Sequence, residues 1–180
     1  MVLPAIIILF SIILDQITKI VAQNNLLNNE EITAIPHILG FTYVKNEGAA
    51  FGIFSDSRWV FMVFSTVAIA VMFYVLIKDK KRHPLFIISL SMLIGGGIGN
   101  MIDRIFRGYV IDFFKFLFVK FAVFNVADCF VTIGAVLLSI YLIFIFDDKS
   151  ESSETTEDNI EKCNVSDNNS KNNNNSDAES

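Results

Sequence analysis

Residues 59–77, WVFMVFSTVAIAVMFYVLI, and residues 84–102, PLFIISLSMLIGGGIGNMI, decide the fold of this chain. Each stretch has 19 residues and carries no charged side chain. Nineteen helical residues rise about 28 Å, which is close to the ~30 Å thickness of a bilayer's hydrocarbon core. Both stretches therefore predict transmembrane helices.

Two further apolar stretches flank this pair, at about residues 2–22 and about residues 121–146, and each contains a few polar side chains. Together the four spans predict an all-α membrane protein, a four-transmembrane-helix bundle formed by residues 1–146. Four such spans exclude a soluble single-domain protein.

Composition supports this division. The chain is 53% hydrophobic and 18% charged, with a net charge of −5. Residues 147–180 hold ten acidic side chains and three lysines, a net charge of −7, which leaves +2 for residues 1–146. The acidic, asparagine-rich segment cannot bury enough apolar surface to fold, so we expect a disordered cytoplasmic tail. The absence of a basic surface argues against nucleic-acid binding.

Orientation is predicted by the short loop at residues 78–83, KDKKRH, which holds four Lys and Arg residues. Basic loops stay in the cytoplasm, so four spans place both termini there as well. Residues 23–58 and 103–120 then lie outside. Within the first of these, residues 32–35 and 40–44 resemble short strands, which predicts a small β-rich extracytoplasmic flap. We expect residues 103–120 to form an interfacial segment.

Polar residues inside the spans converge at one depth, near the outer face. With the predicted topology, the members of this set are Asp15, Lys19, Asn100, Asp103, Arg104, Asn125 and Asp128, with Asp112 in the adjoining outer connection. A charged side chain at the membrane centre costs at least ~2.5–3.5 kcal/mol on insertion scales, so it usually faces a partner or a cavity. The shared depth therefore predicts a functional site.

Carboxyl groups dominate this set, which contains no histidine and lacks a serine or cysteine beside a suitable base. Two aspartates in a low-dielectric site cannot both ionise cheaply, so one acts as acid and the other as base. Such a pair can hydrolyse a peptide without metal or cofactor. Spacing does not decide which aspartates pair, but Asp112 and Asp128 are favoured. For Asp103 we favour a structural ion pair with Arg104, whereas for Asp15 a structural pair with Lys19 and a functional role are evenly balanced.

Five strings together resemble those of the lipoprotein signal peptidase family, the signal peptidase II family of bacterial membrane aspartyl peptidases. In chain order they are Asp15-Gln16-Ile17-Thr18-Lys19, Asn46-Glu47-Gly48-Ala49-Ala50-Phe51, Gly99-Asn100-Met101-Ile102-Asp103-Arg104, Val110-Ile111-Asp112-Phe113 and Phe124-Asn125-Val126-Ala127-Asp128. The resemblance covers residues 1–146 and excludes the tail.

The resemblance implies cleavage of the signal peptide from diacylglyceryl-modified bacterial prolipoproteins, just before the lipidated cysteine. It implies that Asp112 and Asp128 form the catalytic dyad, and that Arg104 helps to bind substrate or hold the site. The other supporting positions it implies are Asp15, Asn46, Gly48, Asn100 and Asn125. The implied setting is the bacterial cytoplasmic (inner) membrane, with a prolipoprotein substrate and membrane lipids as partners. We expect a monomer with no metal, cofactor or nucleic acid.

Two other classes compete with a peptidase. A small ion or proton-coupled transporter would need polar residues along the whole crossing. The inner halves of the spans offer only hydroxyls such as Ser89, Ser91 and Ser139. A membrane assembly factor without chemistry would need no convergence of aspartates, and it explains less.

Overall fold

The structure is a computed structural model that describes residues 2–27, 31–48, 58–78 and 83–146. Its elements, in chain order, are α1 (Val2–Leu26), β1 (Ile32–Ile35), β2 (Leu39–Asn46), α2 (Arg58–Lys78), α3 (Pro84–Phe106), β3 (Val110–Phe116) and α4 (Val126–Tyr141), followed by a π-helix (Leu142–Phe146). The chain forms two compact units, Met1–Leu138 and Ser139–Ser180, and the described part of the second is the end of α4 with the π-helix.

Three described helical stretches are long and apolar enough to cross a membrane, namely Val2–Leu26, Pro84–Phe106 and Val126–Ile145. The predicted, mostly helical membrane fold with a small sheet is therefore confirmed. The apolar part of α2 found in the described residues is shorter, Met62–Lys78, so the count of four spans stays a prediction. The tail and most of the basic loop, residues 147–180 and 79–82, lie outside the described residues.

Glycines let α3 approach its neighbours closely. A methyl group on Gly99 would lie 2.6 Å from Asp15 Oδ2 on α1, and one on Gly96 would lie 2.5 Å from the Ala127 carbonyl oxygen on α4. Small residues permit such contacts between helices in lipid. The glycines at residues 95–97 and 99 therefore serve packing, and those at 96 and 99 bring α4 and α1 against α3.

The sheet has three antiparallel strands in the order β1-β2-β3. The strands predicted at residues 32–35 and 40–44 are confirmed as β1 and β2. The third strand corrects the prediction for residues 103–120, which form β3 in their centre, with Asp112 opposite Val44. An apolar cluster of Ile111 and Phe113 with Ala22 and Leu26 packs β3 against the end of α1. Burial of this face explains why the segment pairs as a strand.

Three helix ends differ from the predicted spans. Helix α1 continues from the predicted end at about residue 22 to Leu26. Helix α3 continues from Ile102 to Phe106, so Asp103 and Arg104 lie in its last turns. Helix α4 begins at Val126, five residues after the predicted boundary at 121. The reason is that Phe124 pairs with β3: its N–H donates to the Phe114 oxygen at 3.0 Å, and its own oxygen accepts from Phe114 N at 2.8 Å.

Candidate active site

A buried lysine joins α1 to α3. Lys19 Nζ is fully buried and donates to Asp15 Oδ2 at 2.8 Å, to Asp103 Oδ2 at 3.0 Å and to Asn100 Oδ1 at 2.9 Å. A lysine ammonium has three donors and no acceptor, so each of its protons has one partner here. The predicted pair of Asp15 with Lys19 is confirmed, and it belongs to a larger cluster.

Asp103 has other partners than the one predicted. Besides Lys19, it accepts hydrogen bonds from Arg107 Nη1, from Gln16 Nε2 at 3.3 Å and from the Ile111 backbone N–H at 3.2 Å. The predicted ion pair with Arg104 is therefore replaced by one with Arg107, four residues on along the same helix face. The structural role expected for Asp103 stands.

Arg104 lies on another side of α3. Its Nη1 donates to the Asn100 carbonyl oxygen at 3.4 Å, and its guanidinium interacts electrostatically with Asp128, Asp112 and Asp103. The cation thus lies close enough to both candidate catalytic carboxyl groups to stabilise negative charge between them.

Asn125 and Asp128 cap the start of α4. Asn125 Oδ1 accepts the Asp128 backbone N–H at 3.0 Å, and Asp128 Oδ2 accepts the Asn125 backbone N–H at 3.1 Å. This reciprocal pair is a capping box, in which two side chains three residues apart satisfy backbone donors at a helix start. A third donor, Ala127 N, is satisfied from α1 by Asp15 Oδ1 at 2.9 Å.

Asn125 and Asp128 also form hydrogen bonds with other polar side chains of the site. Asn125 Nδ2 donates to Asp112 Oδ1 at 2.6 Å and to Asn100 Oδ1 at 3.1 Å. Asn100 Nδ2 donates to Asp128 Oδ1 at 2.8 Å. Each oxygen of Asp128 therefore accepts one N–H, and the two asparagines connect Asp128 with Asp112.

Asp112 is placed by strand pairing. Asn46 pairs with Val110 and Val44 with Asp112, so Asn46 and Asp112 are diagonal neighbours on one face of the sheet. Asn46 Nδ2 donates to Asp112 Oδ2 at 2.8 Å, and Asn46 Oδ1 accepts the Gly48 N–H at 3.0 Å. Gly48 has a φ of 98°, a backbone conformation that favours glycine.

Burial raises the pKa of the Asp112 carboxyl to about 6, with only 2% of the residue exposed. The hydrogen bond from Asn46 acts against burial, whereas the negative charge of Asp128 acts with it. Asp112 therefore keeps a proton to a higher pH than an ordinary aspartate does.

Both aspartates open onto one cleft of about 550 Å³. Its polar end is formed by Asn46, Asp112 and Asp128, and Cys129 and Thr132 follow along α4. The remaining wall is apolar and comprises Phe116, Phe121, Ala122, Val123, Phe124 and Ile133. The arrangement offers an acid and a base beside an apolar binding surface.

The structure brings the predicted set together. Asp15, Asn46, Asn100, Asp112, Asn125 and Asp128 are linked through hydrogen bonds, directly or through Lys19, and Gly48 joins through Asn46. Their catalytic and binding roles stay predictions. The rest of the glycine-containing outer string, residues 49–52, lies outside the described residues.

Sequence reasoning missed the cluster around Asp103. Gln16 and Arg107 belong to it: Gln16 Nε2 also donates to the Gly99 oxygen at 3.1 Å, and Arg107 Nη1 donates to Gln16 Oε1 at 3.3 Å. The four-residue spacing from Asp103 to Arg107 was an available signal. The capping box at Asn125 and Asp128 was likewise visible from their three-residue spacing.

Sequence comparison finds similar proteins over most of the chain. The sequence model of the family described as "Signal peptidase (SPase) II" matches residues 7–144. The chain is 44% identical over 137 residues to the lipoprotein signal peptidase of Lactobacillus johnsonii, covering 76% of this chain and 89% of that protein. It is 40% identical over 144 residues to the lipoprotein signal peptidase of Clostridioides difficile, covering 80% and 96%.

Solved structures show the same fold. One, described as a bacterial membrane enzyme at 2.3 Å resolution, superposes with a TM-score of 0.74 at 32% identity, covering 84% of this chain and 92% of that one. A second, described in the same way at 1.9 Å, gives a TM-score of 0.75 at 32% identity, with 81% and 95% covered.

Proposed function

The chain belongs to the signal peptidase II family, and we propose that it removes signal peptides from diacylglyceryl-modified bacterial prolipoproteins by means of an aspartate dyad. Cleavage falls just before the lipidated cysteine. The observation that carries the dyad is the meeting of Asp112 and Asp128 at the polar end of one cleft, where Asn100 and Asn125 connect them.

The reaction is hydrolysis of one peptide bond. One carboxylate takes a proton from a water molecule, whose oxygen adds to the carbonyl carbon of the scissile bond. The other aspartate, which carries the proton that the pair shares, gives it to the carbonyl oxygen. The carbon–nitrogen bond then breaks, and the nitrogen of the cysteine leaves with a proton returned by the dyad. Atoms and charge balance without a metal.

Asp112 suits the role of acid and Asp128 that of base. The pKa of Asp112, raised to about 6, keeps this group protonated at a pH where an ordinary aspartate is ionised. Asp128 is less buried, and its two oxygens accept N–H donors from Asn100 and Asn125, which fix the direction in which the carboxyl group faces the cleft. The guanidinium of Arg104 interacts electrostatically with both aspartates, so it can stabilise the negative charge that the dyad carries during these proton transfers.

The apolar wall of the cleft suits a substrate that is held in lipid. Phe116, Phe121 and Phe124 form this wall beside the aspartates. With four spans and both termini in the cytoplasm, the cleft lies near the outer face of the inner membrane, where the substrate's acyl chains stay in the bilayer. The protein works as a monomer, since residues 15–128 of one chain supply every group in the mechanism.

A transporter is disfavoured by the partners of the deeper hydroxyls. Ser11, Ser89 and Ser91 each donate to a carbonyl oxygen of their own helix, at 2.8, 2.9 and 2.6 Å. The inner parts of the spans at residues 84–93 and 132–146 also carry no charged side chain, whereas an ion or proton path needs polar groups along the whole crossing.

A gel-shift assay tests the proposal. The purified protein in detergent is given a diacylglyceryl-modified prolipoprotein, beside Asp112→Asn, Asp128→Asn and the control Glu31→Gln, which makes the same carboxylate-to-amide change at the exposed contact with Lys115. We expect cleavage by wild type and the control, and a loss of at least about 1000-fold in both dyad variants, since they remove the acid or the base. Turnover by a folded dyad variant would refute the dyad, and failure of wild type would refute the function.

A further inference from the structure

We propose that Lys19 is a positioning residue, whose buried ammonium holds the Asn100 amide so that its N–H points at Asp128. This inference deepens the proposed function, because it concerns how the dyad is kept in its working arrangement. It rests on the orientation of the Asn100 amide, which its hydrogen-bond partners determine.

The orientation of Asn100 follows from its neighbours. Lys19 Nζ lies 2.9 Å from one end of the amide and can only donate, so that end is the oxygen Oδ1. The other end is therefore Nδ2, which lies 2.8 Å from Asp128 Oδ1. Asn125 Nδ2 donates to the same oxygen at 3.1 Å, but this bond is neutral and longer. The charge-assisted bond from Lys19 is the stronger of the two.

The chain of bonds also polarises the amide. Donation of a charged N–H to Asn100 Oδ1 strengthens the donor at Nδ2, because consecutive hydrogen bonds reinforce one another in a low-dielectric site. Lys19 thereby strengthens the hydrogen bond that Asn100 donates to Asp128, although no direct contact joins the Lys19 and Asp128 side chains. Its positive charge also acts on Asp112, where it opposes the rise in pKa caused by burial.

Charge balance explains why the ammonium can remain buried here. Lys19 and Arg107 are the cations of this cluster, and Asp15 and Asp103 are its anions. A buried ion pair is tolerated when its hydrogen bonds are complete. The charged groups around the dyad itself come from four elements: Asp15 and Lys19 of α1, Asp103 and Arg104 of α3, Asp112 of β3 and Asp128 of α4.

The test replaces Lys19 and follows the two carboxyl groups directly. In Lys19→Met, titration of the Asp112 and Asp128 carboxyl carbons by ¹³C NMR in micelles should move to higher pH by about one unit, because a donor and a nearby positive charge are lost. This readout does not require cleavage, so it separates the inference from the proposed function. Where wild type cleaves, the pH profile of kcat should shift in the same direction, with a smaller change in KM.

Two further variants sharpen the result. Arg107→Met removes the other cation that pairs with Asp103 and leaves the hydrogen bonds of Asn100 unchanged. The pH at which Asp128 titrates should therefore be the same as in wild type. Asn100→Leu should reproduce the shift of Asp128, and adding Lys19→Met to it should shift Asp128 no further. If Asp128 titrates at a higher pH in the double variant than in Asn100→Leu, by the full shift seen in Lys19→Met, then the Lys19 charge acts on Asp128 directly. That result would overturn the role of Asn100. An unchanged Asp128 titration in folded Lys19→Met would overturn the proposal.

Loss of Lys19 leaves Asp15 without its cation, which can prevent folding. In that case Lys19→Met is combined with Asp15→Asn and compared with Asp15→Asn alone. The amide oxygen can still accept from Ala127 N, while Asp103 keeps Arg107. The same shift between these two proteins supports the proposal, and its absence refutes it.

Discussion

Replacement of Gly99 by alanine should disturb the site through the contact between α3 and α1. The added methyl carbon would lie 2.6 Å from Asp15 Oδ2, closer than such atoms approach in proteins, and 3.1 Å from Asp15 Cγ, which is a tight contact. Asp15 cannot turn aside freely, because Lys19 and the Ala127 N–H hold its two oxygens. Either α1 moves away from α3, or these bonds lengthen.

The cost follows from this geometry. Overpacking of a close contact costs about 1–3 kcal/mol. For a chain of this size, each kcal/mol lowers Tm by roughly 2–4 °C, so Gly99→Ala should lower Tm by about 2–12 °C. The cleavage rate should fall as well, because Asp15 holds both the Lys19 cluster and the start of α4.

Gly97 provides the matched control on the same helix. A methyl group there meets only Ile69 side-chain carbons at 3.2 Å, at the contact with α2. Those carbons can shift, and alanine favours a helix over glycine by up to about 1 kcal/mol. Thermal unfolding and cleavage assays in detergent should therefore find Gly97→Ala close to wild type. Equal Tm and activity for Gly99→Ala and Gly97→Ala would refute the reasoning.

Two other predictions separate stability from catalysis. Asn125→Ser keeps a good helix cap but loses the amide donors to Asp112 and Asn100. Tm should therefore change little, while kcat should fall about 100-fold. A kcat near that of wild type, or a large fall in Tm, would contradict this prediction. The pKa of Asp112 is raised in the folded protein from 3.8 to about 6, so its contribution to stability is present below pH 4 and is lost as pH rises through 6. Between pH 3 and 7, wild type should lose about 3 kcal/mol of unfolding free energy relative to Asp112→Asn, and parallel curves for the two proteins would refute it.

Periodicity and charge predicted the helices and the two strands before Asn46, because long apolar runs and short β-branched runs are local signals. The third strand could not be predicted in this way, since Val110–Phe116 is stabilised as a strand by pairing with β2 and burial against α1. For the same reason the start of α4 was placed too early: the apolar residues before Asn125 continue the hydropathy of a span, but Phe124 pairs with Phe114.

The candidate site was predictable to the extent that polar residues in a membrane are costly. That argument selected the set of polar residues that contains Asp128, with Asp112 in the adjoining connection, and these two share the cleft. It could not select partners, because contacts such as Lys19 with Asn100 join residues 81 positions apart. The pairing of Asp103 with Arg107, rather than with its neighbour Arg104, depends on which helix face turns toward α1.

The bond from Ala127 N to Asp15 Oδ1 joins α1 with α4, the first and last α-helices of the described residues, which lie 112 positions apart in sequence. During synthesis, the ribosome delivers Asp15 to the membrane long before it makes Ala127. A growing chain therefore lacks both Asp128 and the contact that fixes it until the final helix enters the bilayer. Under the proposed function, the enzyme is inert throughout its own insertion, and its proteolytic activity begins only when assembly is complete.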